Sequence, residues 1–318
     1  MDLALPEVAT LFAASAERAF SALGGTDAAR RAEADPRGRL EVKAALDALG
    51  VCDLDPRRDL ESAAMAVELV RLAGRCVLPF PVVAYVAARP DDGLPVAFAC
   101  PAPRRVDHGD LFAHWVLHDL DATTTAAIPS GPPLGTRLAP FVTDLAQKGE
   151  SSPSPAGEIE LLCLLWAAYL LGVSEYALEL AVAHVKSRVQ FARPLAELQA
   201  VRFSVADATV AVDGLRELVH FTLWRLSRDP GTARADALAA LLSAHEVAQP
   251  TLRLSQQLHG AAGLCDEYDI SVLVRHVQPA LRLPVDSDAL SEVLFSALGT
   301  HGFATLFPLR SGDASPQA

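Results

Sequence analysis

The chain reads as a mainly α-helical protein with a small β segment set between two helical regions. Three observations predict this. Apolar residues recur at helical spacing through residues 1–90 and again from residue 157 to 300. Between them, residues 91–145 hold many Gly and Pro residues and short mixed runs such as Val96-Ala-Phe-Ala and Trp115-Val-Leu. The 318 residues are 51% hydrophobic, with a mean hydropathy of +0.25, so apolar surface for a large core is ample.

Each element follows from local signals. Leu5, Val8, Phe12, Ala16, Ala19 and Leu23 give helical spacing over 3–23, with Pro6 near the start. A short helix fits 38–49 and ends at Gly50. Asp59 caps a third, which carries Ala63, Val67 and Val70 and ends at Gly74. Pro79 and Pro81 then precede a short helix at 82–88. Residues 1–90 thus form an N-terminal helical domain, and 91–150 a reduced β segment in which Thr123–Thr125 favour strand. The Lys148-Gly-Glu-Ser-Ser-Pro-Ser-Pro run reads as a flexible connector. A C-terminal helical bundle spans 151–310, with helices at 157–191, 196–227, 233–260, 266–281 and 286–300. Pro250 should kink or split the third of these. A disordered tail is expected at 311–318.

Bulk properties narrow the function. A net charge of −12 argues against a general nucleic-acid binder, which needs a basic face. It leaves room for an anionic ligand at a local arginine cluster. Five scattered cysteines without a C-x-x-C point to reduced thiols and a cytoplasmic location. No secretory leader is legible at the start. The apolar run 161–172 is too short to span a bilayer and reads as a buried helix, with Trp166 and Tyr169 in its core.

The chemistry concentrates in residues 184–203. A long apolar helix is expected to run into Arg188, Gln190 and Phe191 and to break at Arg193-Pro194. A guanidinium, an amide and a flat ring at a helix end suit a ligand with phosphates and an aromatic system. Elsewhere the signals are weaker. His114 and His118 lack the Glu of a zinc-binding helix, and Arg104-Arg105 reads as a solvated turn pair. His259 is read first as a structural histidine, and second as one that faces a cofactor.

Arg188-Val-Gln-Phe191-Ala-Arg193-Pro194, followed by Gln199, resembles the R-x-x-F-G-[RK]-P/L…Q segment of the acyl-CoA dehydrogenase family, with Ala192 at the family's Gly. Gln257-Leu-His-Gly260-Ala-Ala-Gly263 resembles that family's Q-x-x-G-G-x-G turn, with Ala261 at the second Gly. Glu267 through Arg275 resembles the segment that follows. The resemblance is good over residues 157–280. It implies an acyl-CoA dehydrogenase-like fold, with an N-terminal helical domain, a shortened β middle segment and a C-terminal four-helix bundle. It also implies FAD, with Arg188, Gln190 and Phe191 at the pyrophosphate side and Gln257 and Gly260 at the ADP half.

Two family elements are missing. No T-E-P-x-x-G-S-D segment occurs between 91 and 150, and the position of the usual catalytic glutamate falls on Pro284. The alternative position for that base falls on Leu171. No catalytic residue is therefore assigned. With these losses the chain resembles the smaller subunit, with a degenerate middle domain, of bacterial α2β2 heterotetrameric steroid-type acyl-CoA dehydrogenases. This implies a partner acyl-CoA dehydrogenase subunit that carries the base and most of the acyl-CoA site, and electron-transfer flavoprotein as acceptor. Two other readings stay open. One is a self-sufficient homo-oligomer with Asp286, Asp288 or Glu292 as a relocated base; the other is a non-catalytic scaffold on the same fold.

Overall fold

The computed structural model describes residues 4–89, 91–98, 103–121, 123–190 and 192–301. The expected tail at 311–318 lies outside the described residues, and so does Phe191.

Helices α1 (Glu7–Leu23), α2 (Thr26–Ala34), α3 (Arg39–Ala48), α4 (Leu60–Arg75) and α5 (Val82–Val86) form the first layer. Asp59 caps α4 by accepting from the Ser62 amide at 2.7 Å. Helix α2 has no counterpart among the expected elements. Its sequence lacks large apolar residues and is rich in charge, yet Ala28, Ala29 and Ala32 give it a narrow buried face.

The middle segment is a six-stranded sheet, more than its short sequence suggests. Strands β1 (Val96–Phe98), β2 (Arg105–Asp107), β3 (Trp115–His118), β4 (Thr123–Pro129) and β5 (Val142–Gln147) run in the order β1-β3-β4-β5-β2, and β6 (Ser152–Pro153) pairs with β4. The β1–β3 pair is parallel and the others antiparallel. Trp115 anchors it, fully buried, with its indole N–H donating to the Gly109 carbonyl at 2.9 Å. Two expectations are corrected here. Arg105 is no free turn residue, because it pairs with Asp144 at 2.8 Å across β2 and β5. The connector is stitched to the sheet as well: Ser151 meets Thr125 at 2.8 Å, and Ser154 meets His118 at 2.8 Å.

Helices α6 (Glu158–Ser187), α7 (Gln199–Arg228), α8 (Arg234–His259), α9 (Asp269–Val277) and α10 (Ser287–His301) build the second helical region. Helix α8 runs through Pro250 without a split. Pro250 and Glu246, whose carbonyl would have met the missing N–H, are both exposed, so that carbonyl is not buried without a partner. Helix α6 is long and apolar enough to cross a membrane, but 72% of its most apolar window is buried inside this molecule. Arg57 holds its first turn by forking onto Glu158 at 2.9 and 2.7 Å, and Arg89 adds a third contact at 2.7 Å.

Glycines set the distance between α4 and α6. A Cβ at Gly172 would lie 1.8 Å from the Arg71 carbonyl oxygen, and one at Gly74 would lie 2.2 Å from that of Tyr169. The two backbones are in contact, and neither can retreat without opening the core. Gly172→Ala should therefore lower stability by about 3 kcal/mol or more. Gly214→Ala, on the exposed face of α7 with nothing within 4 Å, should raise it by about 1 kcal/mol. Urea midpoints of the two variants check both signs.

Candidate functional site

The sequence-predicted residues gather at one end of the C-terminal helices. Helices α6 and α8 lie side by side and parallel: Glu160 and Arg234 pair at 3.3 Å near their starts, and the rings of His184 and His259 stack at 4.1 Å near their ends. Arg188 and Gln190 thus share an end of the bundle with Gln257 and Gly260. All four are exposed.

The helix end differs from expectation. Helix α6 stops at Ser187, and Arg188 is already extended, at φ −77 and ψ 118. Strands β7 (Val189–Gln190) and β8 (Arg193–Pro194) then form a small hairpin. Arg188 and Gln190 are therefore presented by a hairpin rather than by a helix. Ala192 sits at its turn with φ +61, the left-handed region that glycine adopts without strain. The second turn has its own constraints. Gly260 has φ +61 and ψ −138, and a Cβ at Gly263 would lie 2.8 Å from the Gln256 carbonyl oxygen.

Charge distinguishes this face. Most arginines of the chain are neutralised: Arg71 bridges Glu68 and Glu175, Arg225 meets Asp236, and Arg275 meets Glu33 and Asp266. Lys186, Arg188, Arg193 and Arg202 form no side-chain ion pair or hydrogen bond among the described residues, and all are exposed. The C-terminus of α6 favours the cations Lys186 and Arg188. A diphosphate would find fixed, unneutralised guanidiniums and an unpartnered amide at Gln257.

A separate cleft lies between the sheet and the two helical layers. It is lined by Phe80, Val106, Trp166, Tyr169, His276 and Leu283 among others, with about 40 Å³ free, room for a water or two. Trp166 and Tyr169, expected in the core, are half-buried at this cleft and pack edge to face at 5.5 Å. Two of its groups escaped the sequence reading. Asp107 is the one carboxylate of the lining, and burial pushes it up to about 7. His108 is 4% exposed, has φ +56, stacks on Phe141 at 4.8 Å and leaves Nδ1 unpartnered. No motif marks either residue; only the tertiary fold brings them to the cleft.

Asp286 and Asp288 lie elsewhere, on an open groove with His245, Gln249, Arg282 and Pro284. Asp286 accepts from the Ala289 amide at 2.9 Å and so caps α10. Neither it nor Asp288 lines the cleft of Trp166 and Tyr169, and Glu292 lines neither space. The relocated-base reading finds no support in this placement.

The comparisons fit this geometry. Residues 162–281 match the family model for the acyl-CoA dehydrogenase C-terminal domain. The C-terminal helical region is thus similar to the C-terminal domain of acyl-CoA dehydrogenases. Among curated acyl-CoA dehydrogenases, the probable enzyme YngJ of Bacillus subtilis is 30% identical over 109 residues, 34% of this chain but only 28% of that protein. Acyl-CoA dehydrogenase IpdE2 of Mycobacterium tuberculosis is 25% identical over 243 residues, 71% of this chain and 74% of its own length. Among acyl-CoA dehydrogenase folds, a chain of the ChsE4–ChsE5 complex from Mycobacterium tuberculosis superposes with a TM-score of 0.75 at 18% identity, covering 94% of this chain and 99% of that one. The Tcur3481–Tcur3483 steroid ACAD gives 0.75 at 18% identity, covering 92% and 98%.

Two predictions arise here. Ala192→Gly relieves the left-handed strain and should raise stability by up to about 1 kcal/mol, read as a higher urea midpoint. His245 is 3% exposed with neither ring nitrogen in a well-aligned hydrogen bond, and burial lowers its pKa to about 4 against a slight upward pull from the Leu283 carbonyl. The unfolded chain therefore takes up a proton near pH 6.5 that the folded chain refuses until about 4. Stability should fall by up to roughly 3 kcal/mol as pH drops through that window. His245→Phe should flatten the fall in melts recorded between pH 7 and pH 4.

Proposed function

We propose that this chain is the nucleotide-holding subunit of a heteromeric, FAD-dependent acyl-CoA dehydrogenase. One observation carries the reading: unneutralised Arg188, with Gln190, Gln257 and the Gly260 turn, faces solvent at one end of the bundle, while the chain's own cleft is closed. The residues present fit the ADP half of FAD. Fixed guanidiniums match a diphosphate, and glycine backbone permits close approach. Phe191 would pack beside the cofactor.

The flavin, when bound, accepts hydride from the β-carbon of an acyl thioester. The proton at the α-carbon needs a carboxylate within hydrogen-bond reach. Pro284 stands where the family glutamate is expected and lines the open groove of Asp286, while the separate cleft of Trp166 and Tyr169 has no room for a thioester. The partner subunit would therefore supply the base, the flavin-ring pocket and most of the acyl-CoA site, in an α2β2 assembly. Electron-transfer flavoprotein is the proposed acceptor and the cytoplasm the proposed location. A steroid-derived acyl group is proposed by analogy with the steroid ACAD neighbour.

A second reading has one observation in its favour: Asp107, near neutral pKa, lines the cleft and would act as base after the cleft opened. Co-expression separates the two. The chain with its genomic neighbour should purify yellow and active, and the single chain colourless. Arg188→Glu should strip flavin from the complex by tenfold or more, and Asp107→Asn should leave turnover within twofold. Yellow, active single chain, or flavin content indifferent to Arg188→Glu, would overturn the proposal.

A further inference from the structure

The geometry points to the stacked imidazoles of His184 and His259 as the platform for the adenine ring of the bound dinucleotide, an inference that rests on the flavin reading above. The two rings are 4.1 Å apart, with 29° between their planes. Tyr268 stands edge-on to His259 at 6.1 Å and is 42% exposed. Three flat rings thus form one half-open wall between the Arg188 hairpin and the Gly260 turn.

The spacing matches the ligand. His184 lies one helical turn before Arg188, about 6 Å along the axis. That is roughly the reach from a diphosphate held by a guanidinium, across one ribose, to the base. The rings also have the right character. His259 Nδ1 lies 2.7 Å from the Ser255 carbonyl oxygen, which only an N–H can meet, so this nitrogen carries a proton and the ring is oriented. Burial first, then His259 and Arg188, lower the pKa of His184. A pinned aromatic pair presents a π-face, as base-stacking platforms do. Aliphatic side chains would serve a purely structural contact between α6 and α8 as well or better. The imidazoles occur at the one point where those helices meet the two motif turns.

The test uses the chain assembled with its partner subunit and stripped of flavin, titrated with ADP and with inorganic pyrophosphate by calorimetry. His259→Ala should weaken ADP tenfold or more and change pyrophosphate less than twofold. His259→Phe, which keeps a flat ring, should restore ADP to within threefold of the unaltered chain. Arg188→Ala should weaken both ligands. If ADP binding depends on Arg188 but not on His259, the platform is wrong and the flavin reading stands. If ADP and pyrophosphate are lost equally in His259→Ala and phenylalanine restores neither, the pair is structural and the inference is overturned. If neither ligand depends on Arg188, or neither binds the unaltered flavin-stripped complex, the flavin reading falls and this inference falls with it.

Discussion

The backbone contact between α4 and α6 fixes the rest of the molecule. Gly172 and Gly74 remove the side chains that would hold the helices apart, so carbonyl and Cα approach directly. The charged residues follow from this distance. Arg71 reaches Glu175 at 2.6 Å and Arg75 reaches Glu179 at 2.6 Å, a ladder along the same seam. The Tyr169 backbone is pinned at the contact itself. Its ring and that of Trp166 are thereby held against the cleft, and the far end of α6 is carried out to the Arg188 hairpin. One close approach thus determines what fills the centre and what is displayed at the end.

Electrostatics then divides the surface. In a chain of net charge −12, an unpaired arginine attracts any nearby carboxylate, and most arginines here have found one. The seam shows the usual outcome, with Arg216 sharing Glu175 with Arg71. The 186–202 stretch departs from it. Lys186 and Arg188 are held at the C-terminus of α6, where the dipole stabilises them without an acid, while Arg193 lies on the hairpin and Arg202 in the first turn of α7. Positive potential therefore collects over a small patch on an otherwise acidic body. That arrangement suits a small anion held locally, and it does not suit a nucleic acid that must track a long basic face.

The layered fold is legible in the sequence because periodicity reports burial, and burial decides most of the helices. Where sequence and structure differ, the physical causes are separate. Proline restricts its predecessor and so points to a break at Pro194, but the chain leaves the helix at Arg188, six residues earlier, to close the β7–β8 hairpin. Helix α2 is invisible to periodicity because alanine faces it to the core and charges dominate its composition. The Ser-Pro run at 151–155 looks like a linker by composition, yet its hydroxyls bond to Thr125, Thr124 and His118. Arg188, Gln190, Gln257 and Gly260 are found by spacing within motifs, which survives without a structure. Asp107 and His108 lie on strand β2 and the turn after it, and no local pattern shows that these residues reach the cleft.

The closed cleft and the open arginine face are two sides of one constraint. An acyl site kept empty in a folded chain leaves apolar walls without partners, and lost contacts of that kind are costly. Phe80, Trp166, Tyr169 and Leu283 instead fill the space between sheet and helices, with little room left over. Such filling fits the proposed division of labour, in which no substrate enters this cleft. The arginine face has no such relief. Closing it would require carboxylates to reach Arg188 and Arg193, and none does among the described residues. Unpaired cations beside a closed cleft are what the proposed division of labour requires: a phosphate held by this chain and a thioester held by its partner.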